Sequence, residues 1–411
     1  MDAMELGVKR FLLFLVATFL SNIAKGMYYI VVVWFILKLT NSSTQVGVII
    51  GISSVPALVF LPLIGSAVDY YGGKRIAFII NVFRGSIISL TSYPVLFFQD
   101  KKLQIVLLYL TALAIFTGEV LFDPAVNYII RNEFQNQEKL LRGNAFLQVV
   151  IQFGVFLSPV IAGFLISLTG EGYVFLLIGI IYLLSAILFV FLKEEESCRN
   201  LDKRDRLYSA FSISKIFTSY ILFFKIFFEL IRKNQHVFLI LIVSAFEVII
   251  TGINTLLGPL SIGKHWNSID FGLLDAFIAT GSLIAGFILG ISLYKKPPRF
   301  LPALSIAMVA IVISIIPFLS YAFVCVSFFI SGFFFTLARI IYNTEILAQI
   351  HETETGKISS IIKIFAIGFS FLMASIIGIL ADFINIVSAF FSLAGFIVII
   401  AVCAFISDKL K

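Results

Sequence analysis

Twelve long apolar runs, separated mostly by short polar turns, leave this chain little choice of fold. A helix needs about 20 predominantly apolar residues to cross the hydrocarbon core of a bilayer. Runs of that order fall at residues 10–38, 44–69, 75–97, 103–130, 142–168, 172–192, 236–260, 270–294, 298–319, 321–347, 357–381 and 385–407. Hydrophobic residues make up 60% of the chain and charged residues 13%, whereas a soluble domain carries roughly a quarter charged residues. The runs are continuous and do not alternate, which favours helices over the strands of a membrane barrel. The expectation is an all-α integral membrane protein with about 12 transmembrane helices.

The first run continues well past a signal-peptide core and has no small-residue cleavage site at its end, so it is expected to remain as a span. Cys198, Cys325 and Cys403 are scattered, without the close spacing of a metal site or a disulfide framework.

Orientation follows from Lys and Arg, which short cytoplasmic loops retain. With the N-terminus inside, 22 of the 30 lie in inner segments and the central loop. Only Lys38, Lys101, Lys102 and Lys264 fall in outer loops, while Lys25, Arg84, Arg339 and Lys363 fall within spans. Both termini are therefore expected to be cytoplasmic. The same asymmetry accounts for the net charge of +7, which gives no reason to expect nucleic-acid binding.

The only long polar interruption divides six spans from six. It predicts an N-terminal six-helix bundle over 1–192, a cytoplasmic linker over 193–235 and a C-terminal six-helix bundle over 236–411. Ile216, Phe217, Tyr220, Phe224 and Phe228 in the linker have the spacing of an interfacial helix, although a passive connection fits as well. The halves echo each other weakly. A shift of 221 residues lays Gly65 on Gly286, Asp69 on Gly290, Lys74 on Lys295 and Arg75 on Lys296. A shift of 219 lays Phe116-Thr117 on Phe335-Thr336, as expected of transporters built from two repeats.

The turn Gly65-Ser66-Ala67-Val68-Asp69-Tyr70-Tyr71-Gly72-Gly73-Lys74-Arg75 puts an acid, paired glycines and two cations between two apolar segments. It resembles the signature between the second and third helices of the major facilitator superfamily, roughly Gly-x-x-x-Asp-x-x-Gly-x-Lys/Arg-Lys/Arg. Gly65, Asp69, Gly72, Lys74 and Arg75 match in register.

Other stretches resemble the branch that contains macrolide efflux proteins and the enterobactin exporter. Leu39-Thr40-Asn41-Ser42-Ser43 with Gly47 is similar to its first outer loop. Asp123-Pro124-Ala125, followed by Leu140, Asn144 and Ala145, is similar to its loop between helices four and five. Gln349 with Gly356-Lys357 is similar to the loop between ten and eleven. Gly154, Pro159 and Gly163 match the fifth-helix motif of drug/proton antiporters, with Ser158 and Ala162 standing for two glycines. Small residues and a proline suit either a sliding contact or ordinary close packing.

The resemblance implies two pseudo-symmetric bundles, alternating access, no cofactor and a monomer. It also implies an inner gate at the turn. There Asp69 would pair with Lys74 or Arg75 and with the positive end of the eleventh helix near Gly356-Lys357, with Asp123 as a further partner.

Ionisable groups near a bilayer centre cost about 2.5–3.5 kcal/mol each on insertion scales, so they persist where they meet partners or water. Lys25, Glu119 and Glu247 lie deepest, with Arg84 and Arg339 nearer the inside. In the resembled family spans one, four, seven and ten line the central cavity, which would place Lys25, Glu119, Glu247 and Arg339 around the substrate path. Glu119 and Glu247 are candidates for exchanging a proton. Structural ion pairs, such as Lys25 with Glu119, are the competing reading. Asn22, Gln148, Gln152, Asn254 and Asn343 can contact cargo or bond helices to one another.

Enzyme chemistry finds no motif. Gly356-Lys357 is followed by Ile358 and lacks the earlier glycine of a phosphate-binding loop, and His236, His265 and His351 stand apart. The expectation is a secondary transporter of the bacterial inner membrane, exporting a small amphipathic molecule against proton influx. Uptake or facilitated diffusion remains open, as does a non-transporting immunity or sensor protein on the same fold.

Overall fold

The computed structural model describes residues 3–52, 56, 68, 70–98, 100–133, 137–192, 237–291, 298, 300–349 and 355–409. Gly65, Asp69, Lys295, Lys296 and the whole of the 193–235 linker with its interfacial segment lie outside them. The described elements are helical throughout. In chain order they are α1 (Ala3–Thr40), α2 (Ser43–Ile52), α3 (Gly73–Phe97), α4 (Lys101–Glu133), α5 (Gln137–Thr169) and α6 (Glu171–Val190). There follow α7 (Val237–Gly263), α8 (Ser268–Ile291), α9 (Leu301–Ile315, continued by a 3-10 turn), α10 (Tyr321–Gln349), α11 (Thr355–Phe383) and α12 (Ile386–Lys409). Among the described residues 11 helices are long and apolar enough to cross a bilayer, and α2 is described over ten residues.

The helix starts follow local chemistry. Asp100 Oδ1 accepts from the backbone N–H of Lys102 and Leu103 at the head of α4. Asn267 and Asp270 bond each other's backbone N–H reciprocally at the head of α8, and Asn385 accepts from Ser388 N–H at the head of α12. Each satisfies donors that the first turn leaves free. Gly72, at φ 80°, provides the left-handed backbone from which α3 starts.

The helices gather into two compact units. One holds α1 as far as Phe35 together with α3–α6; the other holds the last turn of α1, α2 and α7–α12. In lipid there is little hydrophobic drive between helices, so close backbone approach and interhelical bonds carry the packing. The first unit shows both. A Cβ at Gly85 of α3 would lie 2.9 Å from the carbonyl of Gly179 on α6, and one at Gly179 would lie 2.8 Å from the carbonyl of Gly85. Nearby, Ser21 of α1 donates to Asn81 Oδ1, Asn81 Nδ2 donates to Ser185 Oγ, and Ser185 donates to the carbonyl of Ala17. Phe14, Ile80, Phe122, Val126 and Phe189 close the core around this chain of bonds.

In the second unit α2 lies along α11. A Cβ at Gly47 would come 2.3 Å from the carbonyl of Ala374, and one at Gly378 would come 2.7 Å from that of Ser43. Asp382, at the end of α11, fastens the head of α2. Its carboxylate accepts from Ser42 Oγ at 2.6 Å, Ser43 N–H at 2.6 Å and Thr44 N–H at 2.8 Å. A negative group on free amides at a helix N-terminus is favourable both as a cap and against the helix dipole. This packing, not sequence position, groups α2 with the helices of the second half.

Candidate functional site

Four of the intramembrane charges, on four helices, resolve into two pairs. Lys25 of α1 is ion-paired with Glu119 of α4, and Arg339 of α10 is ion-paired with Glu247 of α7. Pairing offsets part of the cost of holding either charge in an apolar setting. The side chains of the first pair are 35% and 23% exposed, those of the second 41% and 46%. Neither pair is sealed in a dry core.

Other charges surround the first pair. Asp123, one turn beyond Glu119 on α4 and exposed, adds to the negative field at Lys25. Arg84 of α3 is only 1% exposed. Its guanidinium carbon lies 5.3 Å from the ring centre of Phe122 and 5.5 Å from that of Tyr182, a cation–π setting worth about 0.5–2 kcal/mol. Gly118 makes room for it, since a Cβ there would meet Arg84 Nε at 2.6 Å. Among the described residues Arg84 Nε and Nη2 have no hydrogen-bond acceptor, and the hydroxyl of Tyr28 has no partner either. Glu119 therefore lies within the field of two cations, Lys25 and Arg84, and is bonded to the first.

The second pair has a polar neighbourhood of its own. Tyr342, less than one turn beyond Arg339 on α10, donates to Asp408 of α12 at 2.9 Å in a buried bond. Ser244 on α7, three residues before Glu247, donates to the carbonyls of Ile240 and Ile362.

Of the turn residues, Gly72 and Gly73 are buried and Arg75 is exposed. Lys74 Nζ donates to the carbonyl of Leu192 at the end of α6. Gly73 packs against α4, where a Cβ would meet the carbonyl of Ala125 at 2.5 Å. α11 begins at Thr355, so the Gly356-Lys357 stretch is the first turn of a helix.

In the antiporter-like stretch Ser158, Pro159, Ala162 and Gly163 are buried on α5. Proline at 159 deprives the Val155 carbonyl of its N–H donor, and Ser158 Oγ donates to that carbonyl at 3.2 Å. Ser158 also faces α1: a Cβ at Gly26 would fall 1.9 Å from its Oγ, and one at Gly154 would meet Asn22 Cβ at 3.3 Å. The stretch therefore lies in the α1–α5 seam of the first unit.

Among the polar candidates, Asn22 is buried and donates to its own helix at Thr18. Gln148 and Gln152 are exposed, and Asn254 and Asn343 are half-buried. Sequence reasoning missed Asp382, although an acid at the end of a span is a signal in itself. It also missed the matching of the two ion pairs. Lys25 and Glu247 are offset by 222 residues, and Glu119 and Arg339 by 220, almost the shifts that reveal the repeat. Among the described residues no cluster of metal-ligating side chains is present.

Helices in two units, with charges on the first and fourth helix of each half, define a multi-pass membrane transporter. The sequence matches the family model of the Major Facilitator Superfamily over residues 14–374. The chain belongs to that superfamily, and is a transporter of small-molecule substrates rather than an enzyme. A search of curated protein sequences finds no match.

Solved structures share the fold at low identity. The nucleoside transporter NupG is 12% identical with a TM-score of 0.70, covering 98% of this chain and 100% of its own. A peptide transporter POT in complex with sulfate is 13% identical with a TM-score of 0.74, covering 98% and 97%. A POT family transporter in complex with 5-aminolevulinic acid is 14% identical with a TM-score of 0.70, covering 97% and 96%.

Proposed function

We propose that this chain is a proton-coupled exporter of a small amphipathic molecule, a drug, siderophore or peptide-like compound, working by alternating access. It acts as a monomer in the cell membrane, with both termini in the cytoplasm. The observation that carries the reading is the set of ion pairs on α1, α4, α7 and α10, part-exposed within spans. Charges kept there at such cost mark a polar path. The likeness of the outer and inner loops to exporters supports the direction, and the concentration of Lys and Arg in the inner segments supports the orientation.

Lys25, Arg84, Glu119, Glu247 and Arg339 line the path of cargo and protons in this reading. Glu119 and Glu247 exchange a proton only while their ion pairs are open, so a proton and a cation of the cargo compete for the same carboxylate. Gly65, Asp69, Gly72, Lys74, Arg75 and Asp123 form the inner gate, and the α5 stretch from Gly154 to Gly163 lets helices move past one another. One proton falling through about 100 mV yields about 2.3 kcal/mol, enough for a gradient of tens-fold.

The test is a tolerance panel of macrolides, siderophores, peptides and amphipathic cations in an efflux-deficient bacterial host with and without the chain. Efflux of the responding compound is then followed from energised vesicles. Collapse of the proton gradient is expected to stop efflux. Efflux that continues undiminished overturns the coupling, and equilibration without accumulation overturns active export.

A further inference from the structure

Beyond the ion pairs, the spans hold a carboxylate with neither a counter-charge nor a hydrogen bond among the described residues. Asp275 lies seven residues into α8, about 10 Å along the axis from its start. Three strips run along this helix. Phe271, Leu274, Ile278 and Ala285 are buried, and Phe277, Ile284, Phe287 and Ile288 are exposed as a bilayer-facing strip would be. Asp275, Ala279, Ser282 and Gly286 recur at helical spacing on a third strip and are all half-buried.

That strip edges the seam with α10, where Ser282 Oγ donates to the carbonyl of Gly332 at 3.2 Å. It also borders open space, because a Cβ added at Gly286 would meet nothing within 4 Å. Asp275 thus lies on a half-buried face of small and polar residues.

The elements packed against α8 are α10 and, more lightly, α7. Their ionisable groups are Glu247 on α7 and Tyr321, Cys325, Arg339, Tyr342 and Glu345 on α10. Arg339 is taken by Glu247, Tyr342 is bonded to Asp408, and Tyr321 and Cys325 lie near Asp270. None of them places a charge on Asp275, and among the described residues it has no hydrogen bond or ion pair. Glu119 and Glu247 must each part from a cation before accepting a proton. Asp275 parts from nothing.

We propose that Asp275 is a further proton-carrying carboxyl of this transporter, beside Glu119 and Glu247, binding a proton on one side of the membrane and releasing it on the other as the chain alternates. The step is a simple protonation: the carboxylate takes one proton to become the neutral acid and gives the same proton back. A neutral acid is far cheaper than an unpaired carboxylate in apolar surroundings, so loading and unloading would change the stability of the state that buries Asp275. The proposal rests on the proton-coupled reading above and adds a third carboxyl to the proton path.

The full-length protein, reconstituted in lipid vesicles, is treated with N,N′-dicyclohexylcarbodiimide, which adds to protonated carboxyls in apolar settings. The adduct is mapped by peptide mass spectrometry over a series of pH values. The expected result is labelling at Asp275 that declines as pH rises, is lost in Asp275→Asn and returns in Asp275→Glu. The glutamate variant separates loss of the acid from loss of the fold. Labelling of Asp275 that is absent, or indifferent to pH, overturns the assignment. A pH-dependent label on Glu119 or Glu247 alone overturns it while leaving proton coupling intact. No pH-dependent label on any of the three overturns both.

Discussion

Glu119 on α4 neutralises Lys25 on α1, and the second half repeats the arrangement with its charges exchanged, the acid Glu247 on α7 and the base Arg339 on α10. Each half thus pairs one intramembrane acid with one base. The two pairs differ in exposure, and that difference separates their expected behaviour.

Removing one member of the first pair strands the other. Fully exposed pairs are worth about 0.2–1 kcal/mol, and breaking a fully buried one costs about 3–5 kcal/mol. With Glu119 23% and Lys25 35% exposed, Glu119→Gln or Lys25→Met is expected to cost about 1–3 kcal/mol, between those limits. The double variant should recover much of the loss. Thermal unfolding of the four proteins in detergent measures the coupling; strictly additive losses would mean that the pair does not act as a unit.

The second pair is more open, with both side chains above 40% exposed. Glu247→Gln and Arg339→Gln are expected to change stability by no more than about 1 kcal/mol. Their effect on efflux should be much larger than their effect on melting. A large drop in melting temperature with efflux intact would assign the pair to structure instead.

Gly26→Ala should be strongly disfavoured, because its Cβ would fall on Ser158 Oγ. Overpacking of this kind costs about 1–3 kcal/mol. Adding Ser158→Gly removes the obstructing atoms, and the double variant is expected to regain folded yield on size-exclusion chromatography beyond that of Gly26→Ala. If it does not, Ser158 is needed more for the Val155 carbonyl than it is obstructive to α1.

Asp382→Ala removes the acceptor for two α2 amides and one hydroxyl. Loss of a helix cap costs about 0.5–2 kcal/mol. Amide hydrogen exchange should accelerate at Ser43 and Thr44, while the far end of α11 keeps its protection. Unchanged exchange at those two amides would show that α2 is held by its glycine seam alone.

Asp69→Asn tests the inner gate. It is expected to shift the balance of inward- and outward-facing states, read by distance measurements between spin labels on the two ends of the chain's halves, and to slow efflux. Equal populations and equal efflux would remove the gate assignment.

Much of this was legible in the sequence, because membrane helices announce themselves by length and continuity, and α1 and α3–α12 lie where the apolar runs place them. The same was true of the charges on α1, α4, α7 and α10, since a charged side chain is conspicuous in an apolar run. Their pairing was less visible. The competing Lys25–Glu119 reading could be written from charge alone, but the Glu247–Arg339 pair joins residues 92 apart, and only packing brings them together. The Asp382 clamp was harder still, because it depends on backbone amides that any sequence at positions 43 and 44 would present. Ser158 could be taken for a weakened glycine; that it supplies the donor Pro159 lacks needed the helix geometry. Asp275 was overlooked because it sits nearer a span end than Glu119 does, and its isolation is a property of its neighbours.

The fastening of α2 also bears on how the protein is made. Ser43 and Asp382 are 339 residues apart, so α2 enters the membrane long before its clamp and its glycine seam on α11 exist. During synthesis its head amides and its small-residue face must be covered by lipid headgroups, water or an insertion factor. Completion of the second unit therefore waits on nearly the last helix, and a chain truncated before α11 leaves α2 without its clamp and its seam.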